Sequence, residues 1–377
     1  MKKWTLLTVL LFLLVFSSGF LAGKLFSTDS QNKASRTSTP TPVSVKKLEQ
    51  KQLPKWTENQ QSVLIGYVQD FRDPNVIEYS KLTHVIFSFA HPTSDGEILL
   101  NGDHAQKNLQ MVKTLAHNSG TKVMLAVGGW YHIRGGESYS YFKSAISNPT
   151  SRTKLVSELS AIAEREGLDG IDVDFEHPRS LEDAKNLTLF IKELSEVLHP
   201  SAKELSIAVH AKIHGGTLTE AQFVKYEPSM FQYVDHVNIM AYDGQWDGGY
   251  NGANLSPYPF TEKIVSYWTQ LFDSQNLSKE KLVLGVPFYA QPEDPKQKQV
   301  SYETIIKSNP NNANQDMMVL NGITYYFNGG STMKRKTQLA LDHGFGGMML
   351  WEVGLDAEGP QSLTSTIFEV LEQNRNI

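Results

Sequence analysis

Eight short apolar runs recur along this chain at intervals that leave room for a helix between neighbours, and that alternation limits its fold more than any other feature. The runs are 63–68 (VLIGYV), 84–90 (HVIFSFA), 122–129 (KVMLAVGG), 170–176 (GIDVDFE), 205–211 (LSIAVHA), 236–242 (HVNIMAY), 282–290 (LVLGVPFYA) and 346–353 (GGMMLWEV). Most are apolar at successive positions, as strands covered on both faces are. Between them, 151–166 places Leu155, Leu159 and Ile162 on one face and stops at Gly167. The stretch 181–198 follows Ser180, a good N-cap, and carries Leu187, Phe190, Ile191 and Leu194; 333–343 stops at Gly344. Strands alternating with helices predict a parallel sheet. A doubly wound sheet is the rival, but no G-x-G-x-x-G follows the first strand. Eight repeats over about 290 residues fit a (β/α)8 barrel of the α/β class, a TIM barrel, with its chemistry at the C-terminal strand ends.

Those ends carry Gly128, Gly129 and Trp130, then Glu176, then Tyr242 and Asp243, then Trp351 and Glu352. Residues 291–330 break the alternation. A polar loop, a short helix (SYETIIK) and a strand (ITYYFNGG) predict a small insertion after strand seven, forming one wall of a groove. The barrel domain is expected over 61–377.

Ahead of it stands a different kind of sequence. Lys2 and Lys3 precede an apolar run from Trp4 to about Ala22, long enough to cross a bilayer. Residues 1–23 are expected to be a signal-anchor, in preference to a signal peptide cut after Gly19, with the lysines cytoplasmic. Residues 24–60 are rich in Ser, Thr, Gln, Lys and Pro and are expected to be a disordered tether. The protein is thus expected outside the cytoplasm, anchored at the surface or secreted, and monomeric.

The formal net charge is −5, and residues 1–60 hold nine Lys/Arg against three Asp/Glu, which leaves −11 on the body. An acidic body excludes nucleic acid as the expected partner. The absence of cysteine excludes disulfides, thiolate metal sites and a thiol nucleophile.

In the run 170–176, Asp172, Asp174 and Glu176 take alternate positions among Ile171, Val173 and Phe175. Side chains alternate across a strand, so the acids share a face and the apolar residues oppose them. In a barrel the acids would meet the axis. Three carboxylates about 6–7 Å apart in a partly desolvated site repel, and protonating one relieves the repulsion. The outermost, Glu176, is then a candidate general acid. A surface edge would leave the apolar face without a core to join. A Mg²⁺ or Ca²⁺ site lacks completing ligands in the local pattern, and His177, His210 and His214 match no ligand spacing, so no metal and no cofactor are expected.

LDGIDVDFEHP resembles the D-G-x-D-x-D-x-E signature of glycoside hydrolase family 18, the chitinase family. KVMLAVGGW resembles that family's third-strand segment, VNIMAYD its sixth-strand M-x-Y-D, LVLGVPFYA its seventh strand and GFGGMMLWEVGLD its eighth. The resemblance implies hydrolysis of β-1,4-linked N-acetylglucosamine polymers, chitin or chito-oligosaccharides, in which the substrate's acetamido oxygen attacks the anomeric carbon. It implies Glu176 as general acid and base, Asp174 as the holder of the acetamido N–H, and Asp172 as its proton-sharing neighbour. Tyr242 would hydrogen-bond the acetamido group, Asp243 would contact the sugar, and Trp351 would floor it. Met240, Gly129, Trp130 and Tyr67 complete the expected substrate-binding set, although packing alone would also explain Met240 and Tyr67, as it would Phe89. Tyr131, Trp246 and Tyr250 are further loop aromatics suited to stacking on sugars, and Asp169, out of phase with the row, is expected to brace the strand.

Two departures from the family pattern stand out. Ala126 occupies the place of a serine that would bond Asp172, and His177 follows the acid where an aromatic residue is common. Other substrates for the same machinery are peptidoglycan or an N-glycan core, and a non-catalytic sugar-binding protein is the reading from a different class.

Overall fold

The computed structural model describes residues 62–176 and 178–375. The segment 1–23, the linker 24–60 and His177 therefore lie outside the described residues. Among the described residues no helix is long and apolar enough to cross a membrane.

The strands in chain order are β1 (Val63–Gln69), β2 (His84–Pro92), β3 (Ile98–Leu99), β4 (Lys122–Gly128), β5 (Gly170–Asp174), β6 (Glu204–His210), β7 (His236–Met240), β8 (Leu282–Pro287), β9 (Tyr289–Pro292), β10 (Val300–Ser301), β11 (Met317–Leu320), β12 (Ile323–Tyr326) and β13 (Gly347–Trp351). Eight of them pair in parallel in the order β1, β13, β8, β7, β6, β5, β4, β2, and β2 returns to β1, so the sheet closes on itself. This is the expected (β/α)8 barrel. Closure removes every sheet edge except where β3 folds back antiparallel on the end of β2.

The period-2 alternation sorts the strand side chains into two layers. Ile65, Ile86, Met124, Val283 and Met349 fill the axis. Leu64, Val85, Val123, Ile171, Val173 and Leu284 face outward and meet the helices. The surrounding helices are held by local signals legible in the chain. Ser180 and Asp183 form a reciprocal capping box at the start of Leu181–Leu198. Asn148 caps Pro149–Glu166, which ends at Gly167 in the left-handed region with φ 65°. Their inner faces are buried, and truncating a residue such as Trp268 or Phe190, each 0% exposed, would cost about 3–5 kcal/mol.

Several strands stop two or three residues before the apolar runs do. The ladder of β5 ends at Asp174, β7 at Met240 and β8 at Pro287. Beyond those points Glu176, Tyr242 and Asp243 belong to the loops that form the barrel mouth. The run 282–290 is split: Phe288 donates its N–H to Trp351 O (2.8 Å), and the chain then enters a second, four-stranded antiparallel sheet ordered β10, β9, β12, β11. The insertion thus begins at Tyr289, two residues earlier than the composition indicates, and includes a hairpin partner, β11, absent from the expectation. Apolarity marks a strand but not the sheet it joins.

Candidate active site

β5 places Asp172 and Asp174 on the axis, and Glu176 follows them at the mouth. Behind them, Phe175 stacks on Phe142 and Tyr139 (centroids 4.9 and 5.7 Å) in the outer layer, so the strand cannot rotate without opening that packing. Asp169 is turned to the strand's base, accepting from Val123 N and lying 2.7 Å from His117 Nε2, as a bracing residue does.

Asp172 is fully buried. Its carboxylate accepts from Tyr67 OH (2.7 Å), Ser206 Oγ (2.5 Å) and Asn238 Nδ2 (3.2 Å). Burial pushes its pKa up to about 6 against the pull of those three donors. The bond that Ala126 cannot make is supplied by Ser206. Ala126 on β4 and Ser206 on β6 both lie opposite Asp172 in register, one on each side of β5. Neither Ser206 nor Asn238 was among the expected site residues. The one signal they offer is a polar residue at an inward position of a strand flanking the acids.

Asp174 has no comparable support. Its Oδ1 is buried without a hydrogen-bond partner. Burial raises its pKa well above the usual range, and the charges of Glu176 and Asp172 raise it further. Glu176 is pushed up to about 8, first by burial and then by the charges of Asp243 and Glu137. A carboxyl that holds its proton at neutral pH and faces a pocket can donate it.

One cavity is lined by Tyr67, Asp174, Glu176, Ala208, Met240, Tyr242, Asp243, Met349 and Trp351. It brings together Glu176, Asp174, Tyr242, Asp243, Trp351, Met240 and Tyr67 from the expected set and adds Ala208 and Met349. Asp172 lies beneath it. Trp351 packs edge-on against Tyr67 (5.6 Å) and beside Phe89 (5.9 Å), which presents its indole to the opening. Asp243 has a left-handed backbone, φ 64°, and accepts from Tyr289 OH (2.5 Å) and Gln245 Nε2 (2.9 Å). Tyr289, a further residue absent from the expected set, thus ties the insertion to the site.

Gly129 and Trp130 do not line this cavity. Gly129 donates its N–H to Asp174 O (3.0 Å), and a Cβ on Gly129 would stand 2.9 Å from the Phe89 ring. Its contribution is a close backbone approach. Trp130 and Tyr131 are exposed on the loop after β4, and Trp246 is exposed after β7. Tyr250 is drawn instead to the insertion, where it bonds Pro292 O and accepts from Gln291 Nε2. Glu352 is a structural anion, buried and paired with Arg72.

The model of the glycosyl hydrolases family 18 matches residues 55–356. Chitinase B of Serratia marcescens is 25% identical over 56% of this chain and 50% of its own length, and Endochitinase 1 of Metarhizium robertsii is 24% identical over 78% and 80%. Probable chitinase 10 of Drosophila melanogaster is 28% identical, but the match covers 10% of that protein; the chain spans half or less of Chitinase B and Probable chitinase 10. Among solved structures, a chitinase from the chitin utilization locus of Flavobacterium johnsoniae is similar, with a TM-score of 0.67 and 26% identity over 83% of this chain and 95% of that one. A chitinase-like agglutinin from Robinia pseudoacacia shares the fold, with a TM-score of 0.67 at 19% identity over 81% and 99%. With the family match running across the whole barrel, the chain belongs to the glycosyl hydrolases family 18.

Proposed function

We propose that this chain hydrolyses β-1,4-linked N-acetylglucosamine polymers, chitin or chito-oligosaccharides, with retention and with the substrate's own acetamido group as nucleophile. The observation that carries the reading is the pairing, in one cavity, of Glu176 at the rim, pushed up to about 8 by burial, with Asp174 one step deeper, whose Oδ1 has no hydrogen-bond partner. Glu176 gives its proton to the glycosidic oxygen as the C1–O bond breaks. The acetamido carbonyl oxygen bonds C1 from the other face, and the positive charge that develops on the acetamido group draws Asp174 to its carboxylate form, its proton passing to Asp172 beneath it. Asp174's oxygen without a partner is free to accept the acetamido N–H. Glu176, now a carboxylate, takes a proton from water as that water opens the cyclic intermediate. Tyr242 bonds the acetamido group, and Trp351 supports the apolar face of the sugar.

The same machinery would act on peptidoglycan or an N-glycan core. A non-catalytic sugar-binding role has less support, because Glu176 is present. The test is Glu176→Gln. Turnover of chito-oligosaccharides should fall about 10²–10⁴-fold, the usual worth of a general acid, while oligosaccharide binding is kept. Undiminished turnover in that variant would overturn the mechanism; turnover of glucose polymers by the wild type would overturn the substrate-assisted step.

A further inference from the structure

The opposite end of the barrel carries a polar layer that the proposed reaction leaves unused. β2 begins with His84, β4 with Lys122, β6 with Glu204 and β7 with His236. Each shares the inward parity of its strand, since Ile86, Met124, Ser206 and Asn238 two residues on belong to the axis or bond Asp172 there. Gly170 begins β5 between them. A Cβ there would lie 2.4 Å from the backbone oxygen of Glu204 and 2.9 Å from Met124 Cε, so glycine is what fits against β6 at this level.

Glu204 Oε2 lies 2.8 Å from His84 Nε2 and 3.9 Å from His236 Nε2, and one ligand atom from each of the three falls within 4.8 Å of the others. Glu204 Oε1 is turned away to Lys122. The second ring nitrogen of His84 is oriented by Thr83 Oγ1 at 2.8 Å. An ion-pair network explains His84, Glu204 and Lys122. It does not explain His236, whose Nδ1 is buried without a partner and whose Nε2 is beyond hydrogen-bonding reach of Glu204. Both imidazoles are buried, 4% and 5% exposed. The Nε2 of each imidazole faces the same carboxylate oxygen, Glu204 Oε2, as donors around one ion would.

We propose that His84, His236 and Glu204 bind a divalent transition-metal ion of the zinc type at the N-terminal mouth of the barrel. Two imidazoles and one carboxylate suit that ion class rather than Mg²⁺ or Ca²⁺, which take oxygen ligands. In a tetrahedral zinc set, donors about 2.0–2.1 Å from the ion stand roughly 3.4 Å apart. The 2.8 and 3.9 Å separations straddle that value, so small side-chain rotations close the set. A cavity of about 220 Å³ at the same end is lined by Ser62, Val63, Glu280 and Gly346 among others and reaches His236, one of the three proposed ligands. The site is structural: it would tie β2, β6 and β7 together, across 152 residues of sequence from His84 to His236.

The test uses the full-length chain without a histidine tag, stripped with EDTA and titrated with Zn²⁺ by calorimetry, with thermal unfolding in parallel. One Zn²⁺ per chain and a raised Tm are expected. His84→Gln and His236→Gln should each weaken binding by at least ~10–100-fold, the loss seen even for outer partners of metal ligands. Lys122→Met, which removes a neighbouring cation, should tighten it. Co²⁺ in the wild type should give the visible absorption of a tetrahedral nitrogen and oxygen site, a readout independent of whether the variants fold. No stoichiometric uptake, a Co²⁺ spectrum of the hydrated ion, or unchanged binding in both folded histidine variants would overturn the proposal.

Discussion

Ser206 Oγ lies 2.5 Å from Asp172 Oδ1, reaching it from the strand on the far side of β5 from Ala126. The buried acid thus keeps three donors although the expected serine is missing, because the barrel offers Asp172 a neighbour on both sides. In this chain β6 supplies a donor that β4 does not.

That relationship is testable by a swap. Ser206→Ala should cost about 1–3 kcal/mol, as removal of a donor from a buried carboxylate does. It should also raise the Asp172 pKa, since Ser206 holds it down, and move the acidic limb of kcat/KM to higher pH. Adding Ala126→Ser should restore both. A pH profile that Ser206→Ala leaves in place would show that Ser206 does not tune Asp172.

The charge of Asp243 helps hold Glu176 up at about 8, after burial itself. Asp243→Asn should therefore move the basic limb of kcat/KM to lower pH. Glu137→Gln should move it the same way by less, being the smaller of the two causes. Profiles measured on a soluble chito-oligosaccharide decide it, and a basic limb that stays in place in both variants would separate Glu176 from that limb.

The same shift has a consequence for stability. Glu176 ionises near 8 when folded and near 4.5 when unfolded, so in that interval the folded chain binds the extra proton. Its contribution is whole below about pH 4.5 and is lost as pH rises toward 8. Glu176→Gln escapes that loss. The Tm of the variant minus that of the wild type should grow steadily across this window; a constant difference would contradict the raised pKa.

Gly128 has φ 121°, and a Cβ on it would stand 2.0 Å from Asp174 O. Gly128→Ala should destabilise the chain by about 1–3 kcal/mol through backbone strain and displace Asp174. Thermal unfolding should show the first effect and a fall in kcat the second. Wild-type values of both would mean that the turn after β4 can relax away from β5.

Trp351→Ala should raise KM by the order of tenfold while kcat changes less, because the indole, in the proposed role, would support the sugar in ground and transition states alike. Kinetics on oligosaccharides of increasing length check this. A loss confined to kcat would place Trp351 in the chemical step instead.

Much of this was legible along the chain. Alternation within 170–176 is a local property of an extended backbone, so it settles that Asp172, Asp174 and Glu176 share a face whatever surrounds them. Ser180 starts one helix and Gly167 ends another through bonds and dihedrals spanning a few residues, and those too can be read in place. Partners across strands cannot. Ser206 and Asn238 reach Asp172, Tyr289 reaches Asp243, and Glu204 reaches His84, only through the stagger with which separate strands close the barrel. A slip of one residue in that register would turn each of these side chains to the other face. Order within a strand follows from covalent geometry. Neighbours between strands follow from how the whole barrel packs, and no single stretch of sequence carries that information.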